Sequence, residues 1–328
     1  MITQNNNFNL KPEMQEVIDK LVSLGGKPIE SLSATEARNQ PTPTDAVMQV
    51  LQDHQIQVPQ PSCKMVDMQI PVTGGSTTIR VYTPKANHEI LPIIVYYHGG
   101  GFVIADLDVY NSSPQSLCEQ TGALVISVEY PKGPEHKFPM AHQVAIDAYK
   151  WVLDNAIVHK GDPKNIAVVG ESAGGNLALN ISIIARDSGI TMPIYQVLVY
   201  PLVGNDTNNE SYLKNAQAKP LNKAMVQWFV QNYFESPDQT SDPRVNLVNA
   251  DLSNLPDTLI IAAEVDPLMS EGQLLHQKLT EAGVKMEYKL YQGVTHEFFG
   301  MGAFVPEAKE AMSLVSQRLK SAFNNAVK

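Results

Sequence analysis

Apolar positions follow a helical rhythm over residues 1–55 and a strand rhythm from about residue 65 onward. Met14, Val17, Ile18, Leu21 and Val22 recur at i, i+3, i+4, i+7 and i+8. Pro12 suits the first turn before them, and Gly25 stops the run. Ser33 and Glu36 have the spacing of a capping box and predict a short second helix; Thr44–Asp53 reads as a third. Further on, Val66–Val72 and Thr78–Pro84, divided by Thr73-Gly74-Gly75, predict a hairpin. Short apolar runs follow at Ile93–Tyr97, Ala123–Tyr130, Ile166–Val169, Gln196–Tyr200, Leu259–Ala263 and Met286–Tyr291. Most are rich in β-branched residues, as strands buried on both faces are.

Helical patterns fall between these runs. One opens at Ser113-Pro114, two more cover Pro139–Asn155 and Gly174–Arg186, and Pro306–Phe323 is the last. Ser270 and Gln273 have capping-box spacing for a helix ending at Gly283. The alternation predicts an α/β protein with a mostly parallel sheet covered on both faces, holding its site at the carboxyl ends of the strands. Residues 204–235 break the alternation. Asn222 reads as an N-cap, and Met225, Trp228, Phe229 and Tyr233 share a helical face without adding a strand. Those aromatics equally suit an ordinary packing helix. Because the segment follows a strand and adds none, it groups with 1–55 as a helical cap, leaving 56–203 and 236–328 as the core. Repeats are absent, and the only low-complexity stretch is Asn5–Asn7.

Composition narrows the function classes. Of the 328 residues, 43% are hydrophobic and 18% charged, which is ordinary globular usage. A chain of this length buries enough surface to need no disulfide or metal staple. Its two cysteines, Cys63 and Cys118, read as reduced structural residues. A net charge of −10 with no basic patch argues against nucleic acid. The start lacks the plan of a secretory signal, and no apolar run is long enough to insert in a membrane, so a cytoplasmic protein is expected. No HExxH or Cys/His cluster implies a metal, and no cofactor motif is present.

The sharpest chemical signal is Gly170-Glu171-Ser172-Ala173-Gly174, set between a predicted strand and a predicted helix. A serine hydroxyl is a weak nucleophile unless it is exposed, oriented and paired with a base. A tight strand-to-helix turn lifts it above the sheet and aims helix N–H groups at developing negative charge. His98-Gly99-Gly100-Gly101 follows the strand Ile93–Tyr97. A flexible loop or phosphate cradle is the alternative, but neither GxxxxGK[ST] nor GxGxxG occurs. An oxyanion loop fits better, with the N–H groups of Gly100 and Gly101 as donors and Ala173 as a third.

Eight histidines could serve as the base: His54, His88, His98, His136, His142, His159, His276 and His296. His54 falls in the cap, His88 and His159 in polar loops, and His142 and His276 in helices. His98 and His136 precede the serine, against the Ser…acid…His order of this strand–turn–helix arrangement. His296 follows the strand Met286–Tyr291 and the loop Gly293-Val294-Thr295. For the acid, Glu264, Asp266 and Glu271 compete. Asp266, in a short loop with Pro267, best suits a carboxylate aimed at an imidazole, since Glu264 ends a strand and Glu271 begins a helix.

Taken together, Tyr96–Phe102 (YYHGGGF), Gly170–Leu179 (GESAGGNLAL), Glu264–Gly272 (EVDPLMSEG) and Thr295-His296-Glu297-Phe298 resemble the hormone-sensitive-lipase family of esterases. The resemblance spans nearly the whole chain. It implies an α/β-hydrolase core with a helical cap, and cofactor-free hydrolysis of small-molecule carboxylic esters of short to medium acyl length. It also implies Ser172, Asp266 and His296 as triad, with Gly100, Gly101 and Ala173 as oxyanion donors. The chain departs from the family pattern in three places: Glu171 stands for a usual Asp, Met269-Ser270 replaces an Arg-Asp pair, and Tyr130–Glu135 reads YPKGPE where YRLAPE is usual. Phe102, Met225 and Phe229 are expected to line the pocket. Met286–Tyr291 is an edge strand on which a second copy could dock as a homodimer. The rival readings are a ligand-binding protein that has lost catalysis, an amidase, and a lipase.

Overall fold

The computed structural model describes residues 8–85 and 90–326; Asn5–Asn7 and His88 lie outside them. The amino-terminal segment forms α1 (Pro12–Ser23), α2 (Ala34–Ala37) and α3 (Pro43–Asp53). The Ser33/Glu36 capping box forms as its spacing predicts. A second box, Thr42 with Asp45, starts α3 a residue earlier than Thr44.

Eight strands make one sheet: β1 (Cys63–Val72), β2 (Gly75–Pro84), β3 (Leu91–Tyr97), β4 (Leu124–Val128), β5 (Gly161–Glu171), β6 (Tyr195–Val199), β7 (Asp257–Val265) and β8 (Met286–Thr295). Their order is β1-β2-β4-β3-β5-β6-β7-β8, so β8 is an edge strand. β2 runs antiparallel to both neighbours, and all pairings from β4 to β8 are parallel. The β1–β2 turn is only Thr73-Gly74, because Val72 pairs with Gly75 and makes that glycine part of β2.

The remaining helices are α4 (Ser112–Thr121), α5 (Met140–Asn155), α6 (Ala173–Ser188), α7 (Glu210–Lys214), α8 (Lys223–Tyr233), α9 (Met269–Glu281) and α10 (Pro306–Ala326). Alternate strand residues feed opposite faces of the sheet, as the two-residue strand period requires. Ile93, Val95, Tyr97, Ile166, Val168 and Ile260 join α5, α6 and α9 in one core. Ile94, Tyr96, Ala167, Val169, Leu259 and Ile261 join α1, α3, α4 and α10 in the other. Residues 204–235 meet the amino-terminal segment across the rim: Trp228 Nε1 donates to the Leu32 carbonyl at 3.0 Å and Asn222 Nδ2 to Glu30 Oε1 at 3.3 Å. Among the described residues no helix is long and apolar enough to cross a membrane.

Two local readings change. Ser270 and Gln273 do not cap α9, which begins at Met269. No side chain caps it: its N-cap is Leu268, whose N–H donates to Asp266 Oδ1 at 2.8 Å in the turn before the helix, while Ser270 N–H goes to Ser211 Oγ. Gly293-Val294-Thr295 is strand rather than loop. β8 continues through it after an irregularity in its pairing with β7, and Thr295 stands opposite Val265.

Candidate active site

Ser172 sits where β5 turns into α6, with φ 56°, a left-handed conformation that an L side chain adopts only where the surroundings impose it. The turn is locked to β6 by Ser172 N–H to the Val199 carbonyl at 2.9 Å and Leu202 N–H to the Ser172 carbonyl at 3.1 Å. Its sharpness explains the flanking glycines. A Cβ on Gly170 would collide with the Gly174 carbonyl, and one on Gly174 with the Tyr97 carbonyl.

The β7–β8 register brings the next two groups in. Because Val265 and Thr295 are partners, the chain leaves the sheet at Asp266 and His296 side by side. His296 Nδ1 lies 2.7 Å from Asp266 Oδ2, and its Nε2 lies 2.9 Å from Ser172 Oγ. All three side chains are buried. The Tyr200 ring packs over the imidazole, with centroids 4.5 Å apart. Burial works against a charge on His296, but the Asp266 carboxylate outweighs it, with smaller contributions from Glu297 and Glu171, so its pKa is raised. With Nδ1–H directed at the carboxylate, Nε2 is left to accept the serine proton.

The competing acids point elsewhere. Glu264 Oε2 accepts from the Gly293 N–H at 2.9 Å, and Glu271 Oε1 from the Val203 N–H at 2.8 Å. Among the other histidines, His142 is buried between Asn176 Oδ1 (2.9 Å) and the Tyr233 hydroxyl (3.2 Å), and burial depresses its pKa to about 4. His54 pairs with Glu16 at 2.6 Å. His98 stacks on Tyr130, centroids 4.3 Å apart, and burial lowers its pKa.

That stack braces the glycine loop. Tyr130 Oη donates to the carbonyls of His98 and Gly99 at 2.8 and 2.9 Å, the Gly100 carbonyl accepts from Val103 and Ile104, and the Phe102 carbonyl accepts from Gly133. The N–H groups of Gly100, Gly101 and Ala173 have no acceptor among the described residues. Gly101 must lack a side chain, since a Cβ there would strike the Phe229 ring and its φ is 58°.

Two cavities meet at Ser172. The narrow one, about 60 Å³, is lined by Gly101, Phe102, Tyr212, Leu221, Phe229 and Leu268 among others. The wide one, about 410 Å³, is lined by Gly100, Met225, Phe229, His296 and Glu297 together with Lys27, Glu30 and Lys132. Of the three residues expected at the pocket, Phe102 faces the narrow cavity, Met225 the wide one, and Phe229 both.

The sequence names Glu171 as a departure beside the serine and Glu271 as a rival acid, but it shows neither their burial nor the part played by Glu297. Glu171 accepts from Tyr96 Oη at 2.6 Å and from Tyr200 Oη, and burial raises its pKa. Burial pushes Glu271 up to about 8. Glu297 accepts from Tyr110 Oη at 3.1 Å. For Glu297 the available signal was its position directly after the histidine. The departure at 130–135 reaches the site at its edge: Gly133 N–H holds the Phe102 carbonyl, and Lys132 lines the wide cavity. There Glu135 forms a two-pronged pair with Arg38 of the amino-terminal segment at 2.8 and 2.7 Å.

A serine on a strand–helix elbow, hydrogen-bonded to a histidine and a carboxylate carried by later strands of a mostly parallel sheet, defines the α/β-hydrolase class. Comparison with known proteins agrees. A family model described as the alpha/beta hydrolase fold matches residues 94–300. An ethyl acetate hydrolase of Pseudomonas putida is 31% identical over 323 residues, covering 95% of this chain and 99% of that one. The carboxylesterase NlhH of Mycobacterium tuberculosis is 36% identical over 251 residues, covering 75% and 78%. A hyperthermophilic esterase structure from the archaeon Pyrobaculum calidifontis superposes with a TM-score of 0.86 at 35% identity, covering 95% of this chain and 98% of that one. The chain belongs to this α/β-hydrolase family, in its hormone-sensitive-lipase group of carboxylesterases.

Proposed function

We propose that the protein hydrolyses carboxylic esters of short to medium acyl length through an acyl-enzyme on Ser172, with His296 as general base and Asp266 orienting it. The observation that carries this is the unbroken series Asp266 Oδ2–His296 Nδ1–Ser172 Oγ at 2.7 and 2.9 Å. Ser172 Oγ attacks the ester carbonyl while its proton passes to His296 Nε2, and the oxyanion takes hydrogen bonds from Gly100, Gly101 and Ala173. Each such donor is worth about 3 kcal/mol in the transition state. The carbon–oxygen bond to the alcohol then breaks, and the alcohol leaves with the proton from Nε2. Water, deprotonated by the same nitrogen, releases the acid and restores the serine. Asp266 stays ionised throughout.

This chemistry assigns the cavities. The departing oxygen must reach His296, so the alcohol belongs in the wide cavity that His296 lines, and the acyl chain in the narrow one that it does not. At roughly 10–15 Å³ per water-sized group, the narrow cavity holds only a short chain. Residues 1–55 and 204–235 act together as the cap in this reading, since Met225 and Phe229 come from one and Lys27 and Glu30 from the other. Labelling with a fluorophosphonate followed by peptide mapping should place a single adduct on Ser172. An adduct on another residue, or faster turnover of matched amides than of esters, would overturn the assignment.

A further inference from the structure

Glu297 directly follows His296 and holds a left-handed backbone, φ 66°, that a side-chain-bearing residue seldom takes. Such a conformation persists only where neighbouring contacts over-determine it. Here its carboxyl accepts a hydrogen bond from Tyr110 Oη at 3.1 Å. Tyr110 is buried against the glycine loop so closely that a Cβ on Gly99 would collide with its hydroxyl. The same carboxyl lines the wide cavity with Ser172 and His296, and a second cavity with Glu171 and Tyr110.

We infer that Glu297 is a positioning residue for ester hydrolysis: it ties Tyr110 against the Gly99–Gly101 turn and places a second negative charge beside the His296 imidazole. One side chain thereby serves both the oxyanion loop and the base. The inference rests on the roles proposed above for Ser172, His296 and Asp266.

The groups facing His296, besides Glu297 itself, are Asp266 after β7, Glu171 at the elbow, Glu271 on α9 and the phenol of Tyr200, with Tyr110 held on Glu297. Across the wide cavity stand Lys27, Lys132, Lys219, Glu30, Asp106 and Arg38, the last paired with Glu135. Burial pushes the Glu297 carboxyl above the usual carboxylate range, and a charged His296 draws it back. The negative charge favours imidazolium, so removing it must let the histidine act as a base at lower pH.

Three variants separate the two effects. Glu297→Gln keeps an acceptor for Tyr110 and removes the charge. The acid limb of its kcat/KM profile should move to lower pH. Tyr110→Phe keeps the charge and breaks the tie. Its acid limb should stay in place while plateau kcat falls about tenfold at nearly constant KM. Glu297→Gly relieves the left-handed strain and should show both effects. Thermal midpoints confirm that each variant is folded, and the last two carry the test if Glu297→Gln is not. Superimposable pH profiles for Glu297→Gln and the parent, or an unchanged plateau for Tyr110→Phe, overturn the inference. Failure of a fluorophosphonate to label Ser172 in the unaltered protein would instead overturn the underlying triad.

Discussion

The two cavities that meet at Ser172 are built on opposite principles. The narrow one is enclosed by apolar side chains from several distant segments: Phe102 after β3, Leu202 after β6, Tyr212 on α7, Phe229 on α8 and Leu268 before α9. The wide one opens between the amino-terminal segment and the core, with lysines and carboxylates among its walls. A tight apolar cavity discriminates by volume, because each buried methylene that fits contributes and each that does not must displace a wall. A wide, polar-rimmed one tolerates variety and selects through a few polar contacts. With the acyl group in the narrow cavity, as proposed, this asymmetry predicts an enzyme strict about the acid it removes and permissive about the alcohol it releases. Phe229, whose ring rests on Gly101, lines both cavities and with Leu221 forms the partition between them.

The largest effect should come from the atom that both cavities share. Ser172→Ala should lower kcat by about 10⁴ or more on every ester, whichever cavity the ester fills, with the melting temperature kept; steady-state assays on p-nitrophenyl esters check this. Opening the partition comes next. Phe229→Ala should merge the cavities and raise the kcat/KM ratio of a medium-chain to a two-carbon acyl ester by about tenfold, the size of one or two methylenes' worth of discrimination. An unchanged acyl-chain profile would mean that the narrow cavity does not hold the acyl group. Met225→Ala touches only the wide side. With the acyl group fixed, it should alter the preference among alcohols by roughly threefold while leaving the acyl-chain profile as it was.

The smallest effect concerns the wall behind the narrow cavity. There the buried Glu271 holds the Val203 N–H beside Gly204, and its Oε2 has no hydrogen-bond partner among the described residues. Burial raises its pKa from 4.5 to about 8. The folded state therefore binds this proton more tightly than the unfolded chain does. The stability it contributes is complete below about pH 4.5 and is lost as pH rises through about 8. Glu271→Gln should remove that loss, so that its melting temperature exceeds the parent's by on the order of 2 °C at pH 9 and converges with it at pH 5. Parallel melts at the two pH values are the check.

Much of this was legible before any coordinate. The glycine-flanked serine between a strand and a helix, the His-Gly-Gly-Gly run after another strand and the Ser…Asp…His order each specify chemistry through a handful of adjacent residues. Such patterns constrain the backbone locally. Strand and helix alternation likewise predicted a mostly parallel sheet covered on both faces. The misses came where tertiary contacts override a local pattern. Ser270 and Gln273 have the spacing of a cap, yet no side chain caps α9, because the loop after β7 is set by its contacts with Ser211 and its approach to His296. Gly293-Val294-Thr295 reads as a loop but is held as strand by β7, and that extension is what sets His296 beside Asp266.

The sequence by itself named which residues could do the chemistry, from short motifs and from the order in which the chain presents them. Only the tertiary structure decided how deeply Glu171, Glu271 and Glu297 are buried, which residues separate the two cavities, and how Tyr110 meets the glycine loop. Those facts depend on register and packing between segments up to 187 residues apart, and no local pattern encodes the desolvation that gives a carboxyl its charge state.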